Sequence, residues 1–146
     1  AGLSDIDVHF SKCCNPVPGD EIVGFVTRGR GLSIHRTDCV NIIHLSGTER
    51  ERLIDAEWET NEWNGGGQYL AELKVFAYDR KGLLLEFTRL FTEAQIDVKS
   101  MNVRTNKKGT ATLELGFIVH GREELNKIIE KLRQVEGVMD IERTAG

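Results

Sequence analysis

Three cysteines and one histidine supply the residue types from which a metal site is built. Cys13, Cys14 and Cys39 are all the cysteines of the chain, and His35 precedes Cys39 by four positions. One histidine nitrogen and three thiolates form a common tetrahedral donor set for structural zinc. Because four protein ligands leave no open coordination position, this set favours a structural ion over a catalytic one.

The two adjacent cysteines place a condition on that site. Neighbouring side chains of an extended chain point apart, so Cys13 and Cys14 can bind one ion only if the backbone turns sharply. Asn15-Pro16 and Pro18-Gly19 supply residues that favour such turns. The alternative is that Cys14 and Cys39 are small buried apolar side chains. A cysteine nucleophile is disfavoured, because the histidine that would act as its base has no evident third group to orient it.

The elements that would position these ligands can be read from their spacing. Four positions between His35 and Cys39 are typical of a strand end that leads into a helix. Thr37 or Asp38 is predicted as the N-cap of that helix. The apolar residues predicted to continue it are Val40, Ile43 and Leu45.

Length and composition limit the architecture. The chain has 146 residues, of which 40% are apolar, and a unit of about 65 residues is marginally stable alone. We therefore expect two small units that support each other. No apolar run approaches the roughly 18 residues of a membrane span, and no charged-then-apolar leader is present. These features predict a cytoplasmic protein with reduced cysteines, and the start at Ala1 rather than Met suggests a piece of a longer chain.

The net charge of −4 conceals a local basic stretch. Residues 1–67 carry 6 Lys and Arg against 11 Asp and Glu, whereas residues 68–146 carry 13 against 12. Between residues 9 and 36 the sign reverses, and Gly29 and Gly31 favour a tight turn that presents the neighbouring arginines outward. Such a face suits phosphate oxygens, although a solvated turn with scattered cations is the alternative. The candidate phosphate contacts are Lys12, Arg28, Arg30 and Arg36.

A glycine-rich stretch from Asn64 to Gly67 divides the chain into residues 1–67 and residues 68–146. Periodicity in the second part predicts, in order, a strand at 73–78, a helix at 84–94, strands at 96–105 and 111–119, a helix at 125–135 and a strand at 138–143. Two helices on one face of a four-stranded antiparallel sheet make a ferredoxin-like α+β fold. Trp58 and Trp63 are predicted to pack the two units together, with stacking on RNA as the alternative.

Both units resemble known domains. Residues 13–25, CCNPVPGDEIVGF, together with residues 28–31 and 35–39, resemble the zinc-finger-like, ribosome-intersubunit domain of RelA/SpoT proteins. Residues 70–144, with the turn at 79–84, resemble an ACT domain, the small-molecule-sensing regulatory module of many metabolic enzymes. RelA/SpoT proteins are the enzymes of the stringent response that make and hydrolyse (p)ppGpp, and they end in these two domains in this order.

The resemblance implies a regulatory region. It implies docking to ribosomal RNA where A-site tRNA is sensed, which makes the four cations candidate RNA contacts, and control of remote catalytic domains. No GTP pyrophosphokinase or (p)ppGpp hydrolase turnover is expected from this piece itself, since it shows neither a His-Asp hydrolase pair nor a phosphate loop.

The same resemblance implies a small amino acid ligand, a branched-chain one in our interpretation, bound between the ACT turn and a second copy in a homodimer. A plain turn, or an interaction surface without a ligand, is the alternative. The ligand-binding candidates are Asp79, Arg80, Gly82, Leu83 and Asn102.

Overall fold

A computed structural model describes residues 8–29, 31–58 and 67–144. These residues form two four-stranded sheets, one from each part of the chain. Among them, no helix is long and apolar enough to span a membrane. The observed class is therefore the α+β arrangement that the sequence predicts.

The first sheet contains strands β1 (Val8–Phe10), β2 (Ile22–Val26), β3 (Leu32–Arg36) and β4 (Leu53–Asp55). Their spatial order is β1-β3-β2-β4, in which β1 runs parallel to β3 and the other pairs are antiparallel. Two one-turn helices, α1 (Val40–Ile43) and α2 (Gly47–Arg50), connect β3 to β4.

Helix α1 starts later than the sequence predicts. Cys39 is the N-cap, with extended backbone angles, and its carbonyl accepts hydrogen bonds from the backbone N–H groups of Ile42 and Ile43. The prediction of Thr37 or Asp38 as the cap is wrong, because these two residues form the turn that follows β3. That turn closes when the Cys39 N–H donates to the Arg36 carbonyl at 3.0 Å.

The second sheet belongs to six further elements. They are β5 (Tyr69–Tyr78), α3 (Leu83–Glu93), β6 (Val98–Thr105), β7 (Thr110–Val119), α4 (Arg122–Arg133) and β8 (Val138–Arg143). The strands are antiparallel in the order β6-β7-β5-β8. This arrangement confirms the predicted βαββαβ order and ferredoxin-like topology.

The core of the second unit lies between its sheet and its two helices. Alternate residues of β5 and β7 face the helices, so one face of the sheet is apolar throughout. Phe91 of α3 packs on Phe117 of β7 with ring centroids 5.0 Å apart. The largest fully buried side chains of this unit include Leu73, Phe87, Leu113, Leu115, Leu125, Ile128 and Leu132.

The first unit has a much smaller core of its own. Its buried cluster consists of Cys14, Cys39 and Ile42, so two of its three members are cysteines. Leu32 and Ile34 are buried as well, yet burial of so few apolar side chains, each contributing about 1.5–3 kcal/mol, does not offset the ordering of some fifty residues. The stability of the first unit therefore depends on its contacts with the second unit and on its candidate metal ligands.

Candidate metal centre and unit interface

Cys13, Cys14, His35 and Cys39 converge on one point, with one donor atom of each within 4.8 Å of all the others. The Cys13 Sγ lies 3.4 Å from both His35 Nδ1 and Cys39 Sγ. The Cys14 Sγ lies 3.9 Å from His35 Nδ1. The structure thus brings together the four residues that the sequence predicts as ligands.

A tight turn lets the two adjacent cysteines face the same point. Residues 12–14 form this turn, and the Asn15 N–H closes it by donating to the Ser11 carbonyl at 3.0 Å. Asn15 itself has a φ of 47°, a left-handed conformation that asparagine tolerates better than most residues. The turn that the sequence requires is therefore present, and it lies at Ser11 to Asn15 rather than at Pro18-Gly19.

The donor set fits a tetrahedral zinc ion. Zinc lies about 2.3 Å from thiolate sulfur and about 2.0–2.1 Å from imidazole nitrogen, so tetrahedral angles place donor atoms roughly 3.5–3.8 Å apart. Three of the six donor–donor distances are 3.4, 3.4 and 3.9 Å, close to these values, and every pair lies within 4.8 Å. With four protein donors, a bound ion would contribute folding energy rather than catalysis.

Ser33 orients the histidine of this cluster. It lies two positions before His35 on β3, so both side chains are on the same face of the strand. Its Oγ is 3.0 Å from His35 Nε2, which leaves Nδ1 directed at the thiols. Burial lowers the pKa of His35, and the charge of His9 adds to this effect. The neutral imidazole that results is the form that binds a metal.

The three thiols differ in acidity. Burial raises the pKa of the Cys14 thiol to about 12, and burial also raises the pKa of Cys39. At Cys13 the same effect of burial is outweighed by hydrogen bonds, with Ser11 Oγ at 2.8 Å and with Asn41, so that the pKa of Cys13 is lowered. Without a metal, Cys13 is therefore the first of the three to ionise.

The residue that follows Cys14 bonds directly to the second unit. Asn15 donates from Nδ2 to Glu72 Oε1 at 2.8 Å, and its carbonyl accepts from Arg143 Nη2 at 3.0 Å. Glu72 belongs to β5 and Arg143 to β8. One turn thus carries both a candidate ligand and two contacts to the other sheet.

Arg36, the residue that follows His35, also bonds to the second unit. Arg36 donates from Nη2 to the Thr144 carbonyl at 3.1 Å, and its backbone N–H donates to Cys14 Sγ at 3.3 Å. Its side chain is only 3% exposed and forms an ion pair with Asp38 at 3.0 Å. The prediction that Arg36 contacts RNA is therefore wrong, because a buried guanidinium cannot reach the phosphates of a large partner.

Asp20 and Arg143 form the central polar contact of the interface. Arg143 Nη1 and Nη2 donate to the two carboxylate oxygens of Asp20, both at 2.7 Å. Asp20 is 7% exposed and also accepts from the Val17 N–H at 2.8 Å. At the same loop, the N–H of Arg122 at the start of α4 donates to the Pro18 carbonyl at 2.7 Å.

Apolar contacts complete the interface. Val17 is fully buried and belongs to the hydrophobic core of the second unit, although it lies in a loop of the first. Trp58 stacks on Phe10 at 5.3 Å and meets Tyr69 of β5 edge-on at 5.7 Å. This position agrees with the packing role predicted for Trp58, while Trp63 lies outside the described residues.

Two family models match this pair of units. The model described as the RelA/SpoT RIS domain matches residues 1–59, and an ACT domain model matches residues 65–143. The chain belongs to the RelA/SpoT family. The four candidate ligands lie in its RIS domain, and the ferredoxin-like unit is its ACT domain.

Curated relatives agree with this assignment. The chain is 39% identical over 142 residues to a GTP pyrophosphokinase of Streptomyces coelicolor, covering 97% of this chain and 16% of that protein. It is 36% identical over 146 residues to a GTP pyrophosphokinase of Escherichia coli, covering 99% of this chain and 19% of that protein. The chain thus spans less than a fifth of the length of these relatives.

A solved structure resembles the ACT domain. The crystal structure of the ACT domain from the GTP pyrophosphokinase of Chlorobium tepidum has a TM-score of 0.48 and 25% sequence identity. It covers 53% of this chain and 99% of that one.

Arg28, a predicted RNA contact, is exposed at the β2–β3 hairpin of the RIS domain. The backbone N–H of Thr27 closes this hairpin by donating to the Gly31 carbonyl at 2.9 Å. Gly29 and Gly31 both have positive φ, as the predicted tight turn requires. Arg30 lies outside the described residues.

Lys12, another predicted RNA contact, is exposed but distant from that hairpin. Strand β1 pairs in parallel with β3 in the register Phe10↔Ile34. Lys12 comes two positions after Phe10, and it therefore lies towards the end of β3 that carries Arg36. Arg28 precedes the opposite end of the same strand. Five residues of strand span about 13 Å, so the cations do not form one compact patch.

Four of the five predicted ACT ligand residues line one cavity. Asp79, Arg80, Gly82 and Leu83 surround a volume of about 460 Å³ at the start of α3. Arg80 is held by its bond to the Glu136 carbonyl at 2.9 Å. Gly82 has a φ of 83° and is the N-cap of α3.

Asn102, the fifth predicted ligand residue, does not line this cavity. Side chains alternate along β6, and Val103 is the residue that faces the cavity. Asn102 faces the opposite side of the sheet, where it lines a different hollow with Glu72 and Lys74.

The sequence reasoning missed the interface residues Asn15, Asp20 and Arg143. The neighbouring sequence does not distinguish a polar or charged residue that a distant part of the chain will bury from one that stays in solvent. Ser33 was also missed, although its spacing of two from His35 on a predicted strand end is a signal that could have identified it.

Proposed function

We propose that this chain is the C-terminal regulatory region of a cytoplasmic RelA/SpoT-type (p)ppGpp synthetase or hydrolase. In this proposal it docks to ribosomal RNA beside the A-site tRNA and controls catalytic domains elsewhere in the parent protein. The observation that carries the proposal is the succession of a RIS domain and an ACT domain over nearly the whole chain.

The interface between the two domains supports a regulatory role. In a regulatory region, binding at one surface must affect another surface. This requires specific contacts that hold the two domains in a fixed relative position. The Asp20–Arg143 pair and the insertion of Val17 into the ACT core provide such contacts. Binding of a partner at the RIS domain therefore also affects the ACT domain, through this interface.

The β2–β3 hairpin supports the choice of RNA as partner. Arg28 is exposed on a turn that ends in two positive-φ glycines, and its planar guanidinium matches the geometry of phosphate oxygens. RNA recognition through shape and backbone needs few aromatic side chains, which agrees with an aromatic content of 7%.

The test is binding of the 146-residue chain to purified ribosomes, with and without uncharged tRNA in the A site, over a series of salt concentrations. We expect saturable binding that weakens as salt rises, because phosphate contacts release condensed counterions. We also expect tighter binding when uncharged tRNA is present. Binding that is absent at low salt would overturn the proposal.

A second function is favoured by the cavity of about 460 Å³ at the start of α3. Its size suits a small metabolite, and four ligand candidates line it, which supports amino acid sensing, with a second ACT copy completing the site in a homodimer. A branched-chain amino acid should then raise the melting temperature, because a ligand that binds only the folded state stabilises it.

The variant that tests this second function is Gly82→Val, with Gly29→Val as its control. The two glycines have φ of 83° and 85°, so both changes introduce similar backbone strain, but Gly29 lies in the β2–β3 hairpin of the RIS domain, where an added Cβ meets no atom within 4 Å. We expect only Gly82→Val to abolish the ligand-induced rise. If no amino acid shifts the wild-type melting temperature at millimolar concentration, the turn is an interaction surface without this ligand.

A further inference from the structure

A closed ring of bonds joins the candidate metal centre to the ACT domain. Asn15, which follows Cys14 in the chain, donates from Nδ2 to Glu72 Oε1 at 2.8 Å. The Glu72 carbonyl accepts from the Thr144 N–H, and the Thr144 carbonyl accepts from Arg36 Nη2, both at 3.1 Å. The Arg36 N–H returns to Cys14 by donating to its Sγ at 3.3 Å. The ring thus contains a candidate ligand atom and crosses the domain interface twice.

The part of the ring at the candidate ligand is shielded from water. Cys14 is fully buried, and the Arg36 side chain is only 3% exposed. Hydrogen bonds in such surroundings are strong, because water does not compete for their donors and acceptors. A displacement of the Cys14 sulfur therefore disturbs the contacts between the domains, and a displacement of the domains disturbs the sulfur.

Asn15 is held in an unusual conformation from two sides. Its φ of 47° lies in the left-handed region, which a residue other than glycine keeps only when its surroundings hold it there. One support is the turn that directs Cys13 and Cys14 at a common point. The other support comes from the ACT domain, through Glu72 and through Arg143 Nη2, which donates to the Asn15 carbonyl at 3.0 Å. Each support makes the conformation that the other requires more favourable.

Arg36 connects the same two sites from strand β3. It follows His35 directly, so the placement of that imidazole at the cluster also fixes where the Arg36 side chain starts. Its N–H contacts a ligand sulfur while its side chain reaches Thr144. Groups that contact metal ligands orient them, and loss of such a group typically weakens metal binding about 10–100-fold.

We propose that metal binding at the cysteine cluster and docking of the RIS domain on the ACT domain are one coupled equilibrium. Zinc at the cluster tightens the docking. Because coupling between two sites is reciprocal, docking tightens zinc binding by the same factor. A metal-loaded chain then holds its two domains in a fixed relative position, and loss of the metal loosens them. The proposal rests on the candidate metal centre and is independent of the ribosome contacts of the proposed function.

The first measurement is the zinc affinity of the reduced 146-residue chain, determined by competition with a chromophoric chelator. Glu72→Ala removes the acceptor of Asn15 on the ACT side and changes no candidate ligand. We expect it to weaken zinc binding about fivefold to tenfold, within the usual range of coupling between two sites. Glu72→Gln keeps an amide oxygen as the acceptor and should retain most of the wild-type affinity.

Glu114→Ala is the matched control. Glu114 lines the same hollow of the ACT sheet as Glu72, and its carboxylate pairs with Arg104 of the same domain. Its loss changes the net charge as much as Glu72→Ala does and leaves the ring intact. We therefore expect the zinc affinity of Glu114→Ala to equal that of the wild type.

The second measurement is amide hydrogen exchange of the metal-free and the zinc-loaded chain. The Arg122 N–H donates across the interface to the Pro18 carbonyl at 2.7 Å, and both residues lie outside the cluster. The Asn106 N–H, which donates to the Thr110 carbonyl at 3.1 Å within the β6–β7 hairpin, is the internal control. We expect zinc to slow exchange at Arg122 by the same fivefold to tenfold and to leave exchange at Asn106 unchanged.

Four results would overturn the inference. Two concern affinity: a zinc affinity that Glu72→Ala leaves at the wild-type value, and an equal loss of affinity in Glu114→Ala. The third is exchange at Arg122 that does not respond to zinc. The fourth is a wild-type chain that binds no zinc, since docking would then have no metal to be coupled to. If Glu72→Ala does not fold, exchange at Arg122 alone decides.

Discussion

Arg143 and Asp20 are 123 positions apart in the sequence and meet in a two-pronged ion pair, with both nitrogen–oxygen distances at 2.7 Å. Arg143 closes the last strand of the ACT domain, and Asp20 ends the loop that follows the two adjacent cysteines. This pair therefore joins the loop between Cys14 and strand β2 to the end of the ACT domain.

Loss of this pair should loosen the docking of the two domains. Arg143→Ala leaves the Asp20 carboxylate buried without its cation, and we expect the free energy of unfolding to fall by about 3 kcal/mol in urea denaturation. The control is Arg104→Ala, whose ion pair with Glu114 joins side chains that are 68% and 43% exposed. That variant should lose less than about 1 kcal/mol. Equal losses in the two variants would show that the interface pair is not buried in solution.

Zinc should copurify with the protein at one equivalent. The four donor atoms lie within 4.8 Å of one another, so His35→Ala and Cys39→Ser should each lower the zinc content and destabilise the RIS domain while the ACT domain stays folded. His44→Ala is the control for the histidine, because His44 is exposed and outside the cluster. Metal analysis of reduced, chelator-free protein provides the measurement. Well under half an equivalent in the wild type would favour a buried thiol core instead.

The metal-free protein should lose stability as the pH rises above 9. Burial raises the pKa of the Cys14 thiol from 9.0 to about 12. Between these values the folded state holds a proton that the unfolded state has released, so the free energy of unfolding falls with pH, by up to about 1.4 kcal/mol per unit for one thiol. The raised pKa of Cys39 acts in the same direction, and the lowered pKa of Cys13 opposes it only below pH 9.

The control for this pH dependence is Cys14→Ala, which removes the thiol and keeps a small buried side chain. The difference between the two metal-free proteins isolates the contribution of Cys14 from that of other groups that titrate at high pH. With zinc bound, the thiolates are coordinated and the fall in stability should disappear. Parallel stability curves for the metal-free wild type and Cys14→Ala would contradict the assigned pKa shift.

Ribosome binding should depend on the RIS hairpin rather than on the ACT hairpin. The double variant Arg28→Ala/Arg30→Ala should weaken binding about tenfold to a hundredfold. It should also reduce the salt dependence of binding, because fewer phosphate contacts form and fewer counterions leave the RNA. The matched control is Lys107→Ala/Lys108→Ala, which removes two exposed cations from the β6–β7 hairpin. A larger effect of the lysine pair in the same binding assay would place the docking face on the ACT domain.

The sequence alone determined the elements of the ACT domain and the composition of the candidate metal centre. Alternation along residues 111–119 and helical spacing along residues 125–135 are local patterns, and strand β7 and helix α4 lie where these patterns predict. The cluster of Cys13, Cys14, His35 and Cys39 was also predictable, because the donor types of a zinc site are few and the chain has no other cysteines.

Only the tertiary structure decided which charged residues are buried. Arg28 and Arg36 look alike in the sequence, yet Arg28 is exposed on a hairpin and Arg36 is enclosed between the two domains. The difference arises because the Thr144 carbonyl, 108 positions away, accepts a hydrogen bond from Arg36. Local patterns report which face of an element is apolar, but burial of a polar side chain depends on a partner that folding brings from a distant part of the chain.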